Sequence, residues 1–271
     1  MFFVKPESAR GARSRCLIAQ ESMNDLIQVI RDAQREFALL LRRARTEAPL
    51  SIEQYQRYLS MQYHLTRGVQ TYFMRAAAHR DLVRRKTLRK FLFNFANEEE
   101  QHYLVAANDL SRMGLPILSE PFDVTLWHTY FRSIVDERPF LRLGAACVLE
   151  NLSGGEAREE TRAALRAPFL NAANTKFLVL HQHEALPHGD QIVEAMAASS
   201  LDKTQIDDLV LGAKKGMVLY LRMAEWALFP QVLAARVDAA VHAGITRGER
   251  KEIDNVDIGE LHAVAMRTAA A

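Results

Sequence analysis

An all-α fold, a single-domain bundle of seven helices, is what the sequence predicts, and three observations predict it. Apolar residues recur at three- and four-residue steps along most of the 271 positions. No segment alternates convincingly with the period of two that a half-buried strand requires. The connections between the periodic stretches are short, which argues for one body of antiparallel neighbours.

Each helix has its own signal. Met23, Leu26, Ile27, Ile30, Phe37, Leu40 and Leu41 form the first stripe, opened by Ser22 with Asp25 three residues on, a capping-box spacing. Ser51 with Gln54 opens a second helix carrying Tyr55, Tyr58, Leu59, Leu65, Val69, Tyr72 and Phe73. A third is expected from about Asp81 to Met113, stopped by Gly114 with Pro116 beyond it. A fourth begins near Asp123 and ends before Pro139, which suits the first turn of a fifth reaching Gly154 and Gly155. The sixth starts near Asn174. The seventh starts near Thr204 with Asp207 as cap partner and runs through Val210, Ala213, Met217, Tyr220 and Leu221 towards Pro230. Residues 1–21, with Lys5, Arg10, Arg13 and Arg15, read as a mobile basic arm, 22–230 as the helical domain, and 231–271 as an extension, partly helical or frayed.

Composition narrows the function classes. With 49% hydrophobic and 25% charged residues, the chain is ordinary for a globular protein. A net charge of +2 supplies no field calling for nucleic acid. Two cysteines, Cys16 and Cys147, make neither a disulfide framework nor a Cys-rich zinc site. No apolar run approaches the ~20 residues of a membrane helix. The opening Met1-Phe-Phe-Val-Lys-Pro lacks a secretory pattern, so the expectation is a soluble cytoplasmic protein.

The informative residues are ionisable groups on apolar faces. On the third helix, Leu88, Leu92, Phe95, Glu99, His102 and Ala106 share one face, with Glu99 and His102 adjacent at a three-residue step. Glu-x-x-His pointing into a bundle is how di-iron carboxylate sites take two ligands from one helix. The bland alternative is that Glu98, Glu99 and Glu100 form a solvated acidic run beside an ordinary histidine. On the fifth helix Glu150 is the only acid in Phe140–Asn151. It either reaches water past Gly154 and Gly155 or is buried against something positive, because an unpaired buried carboxylate is costly. On the sixth, Phe177, His181, Glu184, His188 and Ile192 occupy one face, with His183 and Asp190 on another. His181, His183 and His188 are three of the chain's nine histidines, more than packing alone explains. The candidate set is therefore Glu99, His102, Glu150, His181, Glu184 and His188. Carboxylates and imidazoles without thiolate suit iron or manganese better than structural zinc.

With these residues in place, the chain resembles the haem-oxygenase-like superfamily, specifically its non-haem di-iron oxidases and oxygenases, over roughly Ser51 to Leu228. The resemblance rests on Tyr63-His64 and Thr66 with Tyr72-Phe73, on Glu98-Glu99 with His102, Asp109-Leu110 and Gly114, on Pro139, Leu143-Gly144 and Leu149-Glu150, and on Phe177, His181 and His188-Gly189. It implies two Fe(II) ions, with manganese the alternative, held by Glu99, His102, Glu150, His181 and His188. It also implies oxidation of a fatty-acid- or amino-acid-derived organic acid with O2, most like the members that convert fatty acids to terminal alkenes, and a homodimer. Where the family carries an aspartate four residues after the first sixth-helix histidine, this chain has Ala185; Glu184 is adjacent, and Pro187 should bend the helix. Either the bend turns Glu184 into the missing ligand's place or the second metal site is weak or absent.

Substrate would lie among Tyr72, Phe73, Met217 and Tyr220. Gly212 and Gly216 either leave room for an acyl chain or mark close helix packing. Two other classes stay open: a metal-free enzyme of the same fold, resembling thiaminase II with Cys147 as nucleophile or the pyrroloquinoline-quinone-forming oxidases, and a non-catalytic binding descendant.

Overall fold

The computed structural model describes residues 9–47, 49–180 and 188–231, with side chains from residue 23 onward. Among the described residues every regular element is helical: α1 (Ala9–Glu47), α2 (Ile52–Thr66), α3 (Gln70–Ala78), α4 (Lys86–Glu99), α5 (His102–Arg112), α6 (Phe122–Ile134), α7 (Pro139–Asn151), α8 (Gly155–Ala164), α9 (Lys176–Leu180), α10 (His188–Ala197) and α11 (Lys203–Leu228), with a 3-10 turn at Arg80–Leu82. The chain divides into Met1–Leu228 and Phe229–Ala271, and all these helices belong to the first unit.

Seven expected helices become eleven because some are interrupted and one was not anticipated. The second breaks into α2 and α3 at Gly68, whose φ of +81° is a conformation that side chains disfavour. The third opens with the 3-10 turn and breaks again at Glu100 and Gln101, where no Gly or Pro announces it. Beyond Gly154 the chain starts α8 instead of a loop. The sixth is represented by α9 and α10, with 181–187 outside the described residues.

Some caps hold and others move. Ser51 and Gln54 form the expected capping box at α2, and Pro139 sits in the first turn of α7. The first helix does not start at Ser22: α1 begins at Ala9, within the 1–21 segment, and runs through it. The spacing of a capping box recurs by chance mid-helix, and after Gly11 nothing breaks the helix before Ser22. For α11 the reciprocal pair is Asp202 with Gln205, each side chain accepting from the other's backbone N–H, and not Thr204 with Asp207.

α7 is the centre of the domain. Every residue from Pro139 to Val148 is buried, the mark of a helix surrounded on all sides. α11 lies along it, and α1, α3, α6 and α10 pack around the pair. The contact between α7 and α11 is backbone to backbone: a methyl group at Gly212 would overlap the Leu141 carbonyl, and one at Gly144 the Leu209 carbonyl. Gly212 and Gly216 therefore serve close packing, and no acyl channel opens at them. This approach fixes the depth at which α7 carries its two charged groups, Arg142 and Glu150.

Candidate metal centre

Glu99 is the last residue of α4 and His102 the first of α5. The two expected neighbours on one continuous helix thus flank a break, yet their side chains still meet, with His102 Nδ1 2.6 Å from Glu99 Oε2. Glu150 comes from the C-terminal turn of α7. His188 opens α10, with Nδ1 2.9 Å from Glu99 Oε1 and 4.0 Å from Glu150 Oε2. Its Nε2 is 3.4 Å from Glu98 Oε2 on the more exposed side. Glu99 and His188 are buried, while Glu150 and His102 are nearly so.

Rings and amides hold these groups in place. His188 packs edge-on against Phe95 at 4.9 Å and lies nearly parallel to His102 at 5.8 Å. Asn151 donates its side-chain amide to the carbonyls of Cys147 and Gly189, tying the end of α7 to the start of α10. The Gln34 amide from α1 donates in turn to the Asn151 carbonyl. Asp109 of α5 accepts from the Phe177 N–H and anchors α9, and its carboxyl is pushed up by burial. Neither Asn151 nor Gln34 is recognisable in the sequence, because each acts on backbone that only the fold brings near.

One ligand atom each from Glu99, Glu150 and His188 lie within 4.8 Å of one another. Two carboxylate oxygens at that separation repel by roughly 3 kcal/mol at an effective dielectric of ~20. A divalent cation between them turns repulsion into attraction. Two oxygens and an imidazole nitrogen suit iron or manganese, so the donor set fits the ion that the sequence implies. His181, His183, Glu184, Ala185 and Pro187 lie outside the described residues.

The cavity that reaches Glu99 and Glu150 encloses about 90 Å³, and Tyr58, Gln62 and Tyr220 form part of its wall. Of the four residues expected around a substrate, Tyr220 lines it. Tyr72 and Phe73 pack instead around Arg142, and Met217 packs against the main core.

Arg142 escaped the sequence reading. It is 1% exposed, and its guanidinium has no hydrogen-bond acceptor among the described residues. Its carbon lies 4.8 Å from the Tyr72 ring centroid, 5.5 Å from Phe131, 5.6 Å from Phe73 and 5.8 Å from Trp127. Burial pulls its pKa down to about 10. The His128 ring stacks parallel to that of Tyr72 at 6.1 Å. His128 Nε2 is 3.0 Å from the His64 carbonyl, which fixes the proton there. Nδ1 then accepts from the Tyr72 hydroxyl at 3.1 Å. Cys147 is fully buried, and burial together with the Glu150 charge pushes its thiol up to about 12.

No family model and no curated protein matches this chain. Among solved structures it is similar to a domain of unknown function from Shewanella denitrificans OS217, which is described as having a haem oxygenase-like fold. The match has a TM-score of 0.61 at 16% identity and covers 86% of this chain and 96% of that one. No helix among the described residues is long and apolar enough to cross a membrane. The chain therefore has an all-α, haem-oxygenase-like fold, with a three-residue cluster in its interior that could hold a metal ion.

Proposed function

We propose that this protein is a non-haem iron-dependent oxidase or oxygenase that acts with O2 on a small organic acid. The observation that carries the reading is the convergence of Glu99, Glu150 and His188 from three helices on one buried point. Glu99, Glu150 and His188 would hold the ion, and His102, against Glu99 Oε2, orients that carboxylate. Held by these residues, Fe(II) would supply electrons for the activation of O2. The protein's share is geometry and dryness: Phe95 covers one side of His188, and Asn151 fixes the backbone that presents it. Burial and the Glu150 charge push the Cys147 thiol up to about 12, which works against the thiolate that a cysteine nucleophile needs.

The test is anaerobic reconstitution with Fe(II), elemental analysis of the desalted protein, and oxygen-electrode measurements with a panel of short and medium-chain acids. Stoichiometric iron with acid-dependent O2 uptake is the expected result. Protein that retains no iron above a Glu99→Ala control would sink the proposal.

A further inference from the structure

The cavity beside Glu99 and Glu150 has one wall whose hydrogen bonds leave a donor over. The hydroxyls of Tyr58 on α2 and Tyr220 on α11 are 3.1 Å apart. Gln62 donates from Nε2 to both, at 2.9 Å and 2.7 Å. The amide thus spends both its protons, and one phenol spends its own on the other. Whichever way that last bond runs, one phenolic O–H is left without an acceptor among the described residues. Tyr58 and Tyr220 both line the cavity, and the Tyr220 ring is held edge-on by Phe37 at 5.7 Å. Burial raises both phenols' pKa values, so each keeps its proton at neutral pH. The Thr66 hydroxyl, on the same wall, is committed to the Gln62 carbonyl. Among the described lining residues there is no Lys, Arg or His, whereas Glu99 and Glu150 are both acidic.

We propose that Tyr58, Gln62 and Tyr220 are the specificity-determining wall of this cavity: the spare phenolic O–H binds an uncharged oxygen acceptor on a compact, otherwise apolar ligand. Resting on the metal-dependent reading above, this narrows the substrate to an organic acid that carries a second, neutral acceptor such as a carbonyl or hydroxyl. Its carboxylate is tolerated only where the metal neutralises it, because the described lining holds two carboxylates and no positive side chain.

The triangle makes an unusual mutational prediction. Tyr58→Phe and Tyr220→Phe each remove one hydroxyl but leave the other with an uncommitted proton, so each single variant keeps the donor. The triple variant Tyr58→Phe, Gln62→Leu, Tyr220→Phe removes it while replacing every member by an apolar group of similar shape, which is the least disruptive way to delete a buried polar network. Butanone and butyrate serve as probes, with binding followed by ligand-observed NMR and the butanone carbonyl stretch by infrared difference spectroscopy. Metal content is measured in parallel, on metal-free protein and on protein loaded with Zn(II). Butanone is expected to bind both forms with a red-shifted carbonyl, and butyrate only the Zn(II) form. Either single variant should hold butanone within twofold of wild type, and the triple variant about fivefold more weakly.

Unshifted carbonyl absorption in the wild type, unchanged butanone affinity in the triple variant, or butyrate binding to metal-free protein as tightly as butanone each overturns the inference. If the triple variant fails to fold, the wild-type stretch and the butanone–butyrate comparison still decide it. Failure of wild-type protein to take up Zn(II) overturns the metal-dependent reading instead, and the two failures are read on separate instruments.

Discussion

Arg142 and Glu150 stand on the same buried helix, eight residues and ~12 Å apart along its axis, and the protein accommodates them in opposite ways. Around the cation it wraps four aromatic rings, with no carboxylate among them. Around the anion it gathers a second carboxylate and an imidazole. The rings are a finished solution: each offers its negative face to the guanidinium, worth ~0.5–2 kcal/mol apiece against the cost of desolvation. Setting Glu99 and Glu150 beside one imidazole gathers donor atoms that a divalent cation between them would draw together. A buried charge faced only by rings is structural, whereas carboxylates and an imidazole converging from three helices make a place for a cation.

Breaking the second half of that comparison should give the largest effect. Glu150→Ala and His188→Ala each delete a donor atom from the cluster, and each is expected to weaken Fe(II) or Mn(II) binding by more than about 100-fold, beyond what loss of an orienting group costs. Equilibrium dialysis with elemental analysis measures it, with far-UV circular dichroism to show that the helices persist. Metal binding at wild-type strength in both variants would reduce the cluster to a packing accident.

An intermediate effect is expected at the cage. Arg142→Met keeps most of the volume and removes the charge, so urea unfolding at pH 7 should be unchanged or shifted to higher midpoint. Arg142→Ala should lose ~2–4 kcal/mol by leaving a ring-lined void. The alkaline limb sharpens the point. Arg142 binds its proton less tightly in the folded state, with a pKa near 10, well below the ordinary guanidinium range. The cost of burying its charge is thus borne in full below about pH 10 and relieved as pH rises above it. Wild type should therefore gain stability relative to Arg142→Met above that pH. A parallel pair of curves would show that burial does not depress the guanidinium.

The smallest effect belongs to Tyr72→Phe. It preserves the ring over Arg142 but leaves His128 Nδ1 without its donor, which should cost about 1 kcal/mol. A much larger loss in thermal unfolding would mean that the hydroxyl, and not the ring face, sustains the cage.

How far the sequence speaks depends on the range of the interaction. Ser51 with Gln54, Pro139 and Gly114 are local signals, and the structure has helix boundaries at all three. Glu99, Glu150 and His188 were legible because each interrupts an apolar stripe, and a charged group on such a face needs an explanation wherever it sits. The break between Glu99 and His102 was not legible, since no breaker residue marks it. Arg142 was not legible, because its four rings come from α3 and α6. Tyr72 and Phe73 were expected around a substrate, and their place against Arg142 was not legible, because it depends on α7 packing on α3.

The sequence by itself determined the helical class, several of the helix ends and the identity of the ionisable residues on buried faces, since periodicity, capping and desolvation act within a few residues or on one side chain. The tertiary structure alone decided which of those charges meet. Meeting depends on the backbone contact between α7 and α11, on the tie from Asn151 to Gly189, and on the sharing of protons among Tyr58, Gln62 and Tyr220. Each joins residues far apart in the chain, whose proximity is a property of packing and leaves no periodic trace in the order of the amino acids.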